Sequence, residues 1–341
     1  MKSDAANDVD VGGLPELCEA GVILPKRMVR WPHAISDQAR RILIGLYEQS
    51  IEAARLARRN PDMDDAPGWR RQIEEVDTLL SRSYAQPIDA SVQVSTEKLD
   101  GITIYRARPK NLGPGDRRLY ISIHGGALIY GSGEYNRSVV AKDALDYGVE
   151  VIGLDYRTPP DHPYPAALDD CVSAYRHALR DRSPGKIAVG GSSAGGNLSA
   201  ALLLRLKQAD LPMPAALVLL SPEVDLTESG DSFETHCGLD PVLTRLPEIN
   251  ALYANGHALD DPFLSPLFGD LSGFSPTFVQ SGTRDLFLSN AARMHRHLRR
   301  AGVRAELHIF ESMPHVPFIG AAENAELAAE VRRFLDDHWQ Q

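Results

Sequence analysis

The chain has 341 residues, 43% of them hydrophobic, and a formal net charge of -10. That length and apolar content are enough for a large buried core, in one large α/β domain or two smaller ones, and they exclude disorder as the default. Acidic residues are spread along the chain without long single-sign runs, which excludes the basic face of a duplex nucleic-acid binder, so no nucleic-acid partner is expected.

The three cysteines, Cys18, Cys171 and Cys237, are odd in number and far apart. A disulfide framework does not fit them, none has metal-ligand spacing, and a reducing compartment is the simpler reading. The opening "MKSDAANDVDVGG" has acids where a secretory leader needs a basic region and then an apolar run. No signal peptide is expected from it, and it reads as a frayed tail. The longest apolar stretches, such as "AALVLL" at 215–220, are strand length, well short of the roughly 18 residues of a membrane span. A soluble, cytoplasmic protein is expected.

In chain order, residues 1 to about 90 read as helical and polar. Within them "ISDQARRILIGLYEQSIEAARLARR" carries Ile42, Leu43, Leu46, Ile51 and Leu56 at helical spacing after a Ser36 cap, so it has an apolar face that needs a partner. From about Ala90 the period changes to two: "ASVQVST" and "GITIYRA" alternate, and Asp100-Gly101 between them signals a hairpin. Short apolar runs then alternate with helical segments. The runs are "RLYISIHGG", "EVIGLDY", "KIAVGGS", "AALVLLSP", "PTFVQSGT" and "AELHIFE"; the helices are expected near 137–147, 166–182, 194–207, 289–301 and 321–338. This rhythm predicts a mostly parallel sheet covered on both faces. It breaks between Asp225 and Pro262, where no strand pattern appears and an insertion is expected.

In "VGGSSAGGNL" the run before the serines reads as a buried strand and the run after them as a helix, so Ser193 falls on the turn between. Only one register satisfies G-x-S-x-G: Gly191, Ser192, Ser193, Ala194, Gly195. A nucleophile elbow needs small flanking residues because the turn is strained and strand and helix cross closely beside the serine. The helix N-terminus adds backbone N–H groups and a positive dipole end for an oxyanion. The competing readings are a plain Gly/Ser turn and a phosphate-binding turn; "GGSSAGG" supplies neither the dinucleotide G-x-G-x-x-G nor a Walker lysine.

Other strand ends supply the partners. "ISIHGGALIYGSG" runs from an apolar strand into His124, Gly125 and Gly126. The Gly125 and Gly126 amides, with that of Ala194 after the nucleophile, are the expected oxyanion hole, and His124 is expected to brace its own loop. A serine needs an imidazole to take its proton. His315, in the loop "ESMPHVPFIG" before the last helix, is best placed; His308 reads as structural, and His295, His297 and His338 as exposed helix positions. The base needs a carboxylate. Asp285, ending "SGTRD", is the leading candidate, with Asp225 and Glu311 as competitors. The order Ser193, Asp285, His315 is that of α/β-hydrolases.

Together "HGGA", "LDYRTPPDHPYPAALDD", "GSSAGGN", "GTRD" and "MPHVPF" resemble the bacterial hormone-sensitive-lipase-like esterases, over about residues 90 to 341. The resemblance implies an α/β-hydrolase fold: an eight-stranded, mostly parallel twisted sheet with helices on both faces and a helical cap. The cap would come from residues 1–60, the catalytic domain from 61–341, with a cap-contributing insertion at 225–261. It also implies hydrolysis of short- to medium-chain carboxylic esters, small molecules, through an acyl-enzyme on Ser193, with no cofactor and no metal. A lactonase or a small-molecule deacetylase would use the same triad, and a non-catalytic ligand-binding homologue is the reading from another class. A homodimer through an edge strand or the last helix fits the likeness, though no sequence feature carries it. Three positions depart from the family pattern. Ala127 replaces a third glycine, adding a Cβ near the hole, and Ser192 precedes the nucleophile where an acid is common. Glu223 stands where relatives often carry an aromatic residue, and is expected to be an ordinary exposed turn acid.

Overall fold

The computed structural model describes residues 16–23, 28–55, 60–85 and 87–339; Leu56 and the opening thirteen residues lie outside the described residues. Two short strands, β1 (Glu16–Cys18) and β2 (Gly21–Ile23), pair antiparallel and precede two helices, α1 (Asp37–Arg55) and α2 (Ala66–Tyr84). The hairpin follows as β3 (Val92–Leu99) and β4 (Ile102–Pro109). Asp100 and Gly101 take φ of 49° and 92° between them, the positive values that a two-residue turn matching strand twist demands.

The alternating part then runs β5 (Leu119–Ile123), α3 (Glu134–Tyr147), β6 (Glu150–Asp155), α4 (Ala166–Ala178), β7 (Ile187–Ser192), α5 (Ala194–Gln208) and β8 (Ala216–Leu220). The insertion contributes two short helices, α6 (Ser232–Thr235) and α7 (Pro247–Ala254), and no strand. The chain closes with β9 (Thr277–Gly282), α8 (Leu288–Arg300), β10 (Ala305–Phe310) and α9 (Ala322–His338). One eight-stranded sheet has the order β10-β9-β8-β7-β5-β6-β4-β3, parallel from β10 to β6 and antiparallel through β4 and β3.

Alternate residues of the parallel strands feed two cores. Tyr120, Val151, Ala188, Val218 and Phe278 meet α3 and α9 on one face; Ile121, Ile152, Val189 and Leu217 meet α4, α5 and α8 on the other. Both faces are therefore covered, as the unbroken apolar runs require. Among the described residues no helix is long and apolar enough to cross a membrane.

The N-terminal helices dock on different parts of this frame. Ala39 and Leu43 of α1 pack on Met313, Phe318 and Ala321, which flank His315, so the apolar face of α1 finds its partner in the histidine loop. Ile51, expected on that face, is exposed instead. The Ser36 hydroxyl accepts from the Ala39 N–H at 3.1 Å and donates to Glu323 at 2.9 Å, capping α1 and tying it to α9. Helix α2 sits over the loop after β5. Its buried Trp69 packs with Ile129, Tyr130, Ile249 and Leu252, and Asp77 accepts the Gly131 N–H at 2.6 Å.

Candidate active site

Ser193 occupies the residue between β7 and α5, with φ 56° and ψ -122°. A side chain holds that backbone only where the surroundings over-determine it, at a cost of about 1–3 kcal/mol. The glycines explain how. A Cβ on Gly191 would stand 2.2 Å from the Ile123 carbonyl oxygen, and one on Gly195 would stand 1.9 Å from the same atom. The turn is thus pressed against the end of β5, and only glycine fits at either side. The Ser193 N–H donates to the Leu220 carbonyl at 2.9 Å, which fixes the bend to β8 as well.

The same closeness brings the glycine loop to the serine. A Cβ on Gly125 would lie 3.3 Å from the Ser193 Cβ, so the Gly125 backbone runs directly beside the nucleophile candidate. The Gly125 and Gly126 N–H groups donate to no acceptor among the described residues. Ala194 opens α5, where an N–H has no intrahelical partner. These are the three amides the sequence singled out. His124 braces its own loop, as expected: its Nδ1 lies 2.8 Å from the Gly125 carbonyl and its ring stacks on Tyr156 at 4.1 Å. Ala127 takes φ 50°, and its methyl packs toward the Trp69 cluster.

Asp285 and His315 follow the ends of β9 and β10, which run parallel to β7, so all three side chains issue from one edge of the sheet. Their loops are laced together. The Thr283 hydroxyl accepts from the Ser312 N–H at 2.7 Å, and the Arg284 N–H donates to the Met313 carbonyl at 3.2 Å. The His315 Nδ1 lies 3.1 Å from Asp285 Oδ1. The fully buried Asp285 also accepts from the Phe287 N–H at 3.0 Å and, through Oδ2, from the Ser281 hydroxyl at 2.6 Å. No hydrogen bond joins the Ser193 hydroxyl to the imidazole, whose Nδ1 is the nitrogen turned to Asp285.

Burial works against charge on both partners, yet their mutual attraction wins. Asp285 is held below the usual carboxylate range by His315, Ser281 and the Phe287 amide. Burial disfavours the imidazolium of His315, but the Asp285 hydrogen bond and the charges of Asp285 and Asp240 carry its pKa above the ordinary value.

Asp240, in the insertion, was not singled out by the sequence. Its buried Oδ2 accepts the main-chain N–H of His315 at 3.1 Å and of Leu286 at 3.0 Å, while Oδ1 accepts from Val242 and Leu243. One carboxylate therefore clamps the backbone beside both Asp285 and His315. The Asp-Pro turn was visible in "GLDPVLT", but its reach to a loop 75 residues away was not. Ligand atoms of Asp240, Asp285 and His315 come within 4.8 Å of one another. N–H donors already occupy these carboxylates, which suits a hydrogen-bonded relay rather than a metal shell.

The competing acids are placed elsewhere. Asp225 is satisfied by Thr227, Ser229 and Arg293, and Glu311 is exposed. His308 stacks on Phe278 at 4.3 Å, a structural position. Two expectations are corrected. Glu223 is not an exposed turn acid but is 1% exposed, drawn inside because its main chain is anchored to the Ser193 turn. His295, His297 and His338 are half-buried rather than exposed: the His297 ring bonds the Leu267 carbonyl and the His338 ring bonds Phe334.

A family model described as the alpha/beta hydrolase fold matches residues 120–319, and the chain belongs to that family. Within it, the chain falls in the bacterial hormone-sensitive-lipase branch. The crystal structure of esterase E25 superposes with a TM-score of 0.83 at 34% identity, covering 94% of this chain and 100% of that one. That of an esterase from the bacterial hormone-sensitive lipase family gives 0.78 at 31% identity, covering 90% and 100%. By sequence, an esterase of Acinetobacter venetianus is 34% identical over 67% of this chain and 75% of its own length. An ethyl acetate hydrolase of Pseudomonas putida is 29% identical over 80% and 90%.

Proposed function

We propose that the chain is a serine carboxylesterase acting on short- to medium-chain esters, with Ser193 as nucleophile, His315 as base and Asp285 as its acid. Ester hydrolysis as such goes with the family; the residue roles are the reading of this site. The observation that carries it is the strained Ser193 turn on the same sheet edge as the hydrogen-bonded Asp285–His315 pair, with the Gly125 backbone packed beside the serine.

His315 takes the Ser193 proton as Oγ attacks the ester carbonyl, and the Gly125, Gly126 and Ala194 amides receive the oxyanion. The imidazolium, paired with Asp285, protonates the departing alcohol. Water gives its proton to the same imidazole as its oxygen attacks the acyl-enzyme, and the acid leaves with Ser193 restored. All of these groups come from one chain. Helix α1 and the insertion, through Asp240, back the Asp285 and His315 loops, while α2 covers the loop after β5; in this reading the helical cap and the relay are mechanically joined.

Two measurements test the reading. Across p-nitrophenyl esters from acetate to laurate, turnover is greatest among the shorter chains and falls by laurate; a chain inert on all of them contradicts the proposal. A base must be neutral to accept a proton, so the acid limb of kcat/KM lies above the ordinary imidazole pKa. Asp240→Asn removes one of the negative charges that raise it. The limb then moves to lower pH, and kcat falls on the order of tenfold as charge-assisted bonds to the loop amides are lost. An unmoved limb removes Asp240 from the electrostatics of the base.

A further inference from the structure

Glu223 is bound to the nucleophile turn through its main chain. Its N–H donates to the Ser193 carbonyl at 3.1 Å, and its own carbonyl accepts from Asn197 Nδ2 at 2.8 Å. The side chain is buried, and its Oε2 is closed to solvent without a hydrogen-bond partner. No N–H or O–H among the described residues donates to this carboxyl. Two residues on, the Asp225 carboxylate is satisfied by Thr227, Ser229 and Arg293, so one turn carries a fully bonded acid and an orphaned one.

Buried carboxyls without protein partners are rare, and those in folded proteins call for a functional account. Burial pushes Glu223 up to about 8, against the pull of His315. Near neutral pH it is therefore largely the protonated acid, able to give one hydrogen bond and accept others. Its neighbours are the two groups that handle the ester: Ser193, through the backbone bond, and His315, whose imidazolium favours ionising the carboxyl.

We propose that Glu223 sets the substrate class of the site by selecting esters that carry a hydroxyl within a few atoms of the scissile carbonyl. The inference rests on Ser193 being the nucleophile. A hydroxyl donates and accepts, so it can bond the carboxyl in either protonation state. An alkyl group in the same place leaves the buried carboxyl unsatisfied, which costs about ten- to a hundredfold in kcat/KM.

Two isosteric pairs test it, one on each side of the ester: p-nitrophenyl 3-methylbutyrate against p-nitrophenyl 3-hydroxybutyrate, and propyl butyrate against ethylene glycol monobutyrate. The wild-type protein favours the hydroxylated member of at least one pair by about tenfold or more. Glu223→Leu abolishes that preference and gains on the plain ester. Glu223→Gln, whose amide still donates and accepts, keeps most of it. No wild-type preference in either pair, or a preference that Glu223→Leu leaves unchanged, overturns the proposal and makes solvent the partner of the carboxyl. If Glu223→Leu does not fold, the wild-type ratios and Glu223→Gln still decide: loss of the preference in Glu223→Gln tells against a hydrogen-bonding role. Turnover of both members at equal rates defeats this inference alone, whereas a wild-type protein inert on all four esters defeats the esterase reading with it.

Discussion

Ser193→Ala lowers kcat on the order of a million-fold, the scale seen when the nucleophile of a serine triad is removed. The fold survives, because the turn is held by Gly191, Gly195 and the bond from the Ser193 N–H to Leu220, none of which uses the hydroxyl. Alanine pays the same backbone strain at φ 56° as serine does, so the thermal midpoint stays close to that of the parent. A variant that keeps even a hundredth of the activity at an unchanged midpoint places the nucleophile elsewhere. The flanking Ser192 is the internal control: it is a β7 residue ahead of the bend, and Ser192→Ala leaves turnover within a few-fold.

Asp285→Asn lowers kcat by about ten-thousand-fold, by loss of charge rather than of shape. The asparagine oxygen can stand at Oδ1, keeping the bonds from the Phe287 amide and His315, while its amide faces the Ser281 hydroxyl, which accepts as readily as it donates. What disappears is the negative charge that stabilises the imidazolium formed as Ser193 gives up its proton. The pH–rate profile reports this, since the acid limb moves down as the His315 pKa falls. Asp225→Asn is the discriminating comparison. That side chain pairs with Arg293 and never meets His315, so its loss weakens the fold without touching the relay. Equal losses of kcat in the two variants would contradict the assignment of the acid.

Local pattern carried much of this architecture. The Asp100-Gly101 hairpin, the six parallel strands and the strand–turn–helix around Ser193 are set by residues close in sequence, where period and turn chemistry act directly. That Ser193, Asp285 and His315 share one sheet edge was legible because a parallel sheet places every strand's C-terminal end on one edge, which turns chain order into spatial order. Position in depth was not legible. Glu223 looked like a surface acid because its burial follows from a bond to the Ser193 carbonyl, and no local pattern encodes which way an irregular turn faces. Asp240 escaped notice for the same reason: its Asx-like bonds to Val242 and Leu243 are local, but its bonds to Leu286 and His315 are tertiary. The apolar stripe of α1 announced a partner without naming it, and the partner proved to be the histidine loop.

These tertiary bonds give the N-terminal helix and the insertion a part in positioning. Met313 and Phe318 rest on α1, and the His315 amide rests on Asp240, so a shift in either segment is passed to the imidazole through its own backbone. Loosening α1 is expected to act on kcat before it acts on the sheet.

The most direct test of the account is to treat the protein with a fluorophosphonate, digest it and map the adduct by peptide mass. One modified residue is expected, Ser193, with labelling lost in His315→Ala because the hydroxyl is no longer activated. A label on Ser192 or on a serine away from the β7–α5 turn, or active ester turnover with Ser193 left unmodified, would contradict it.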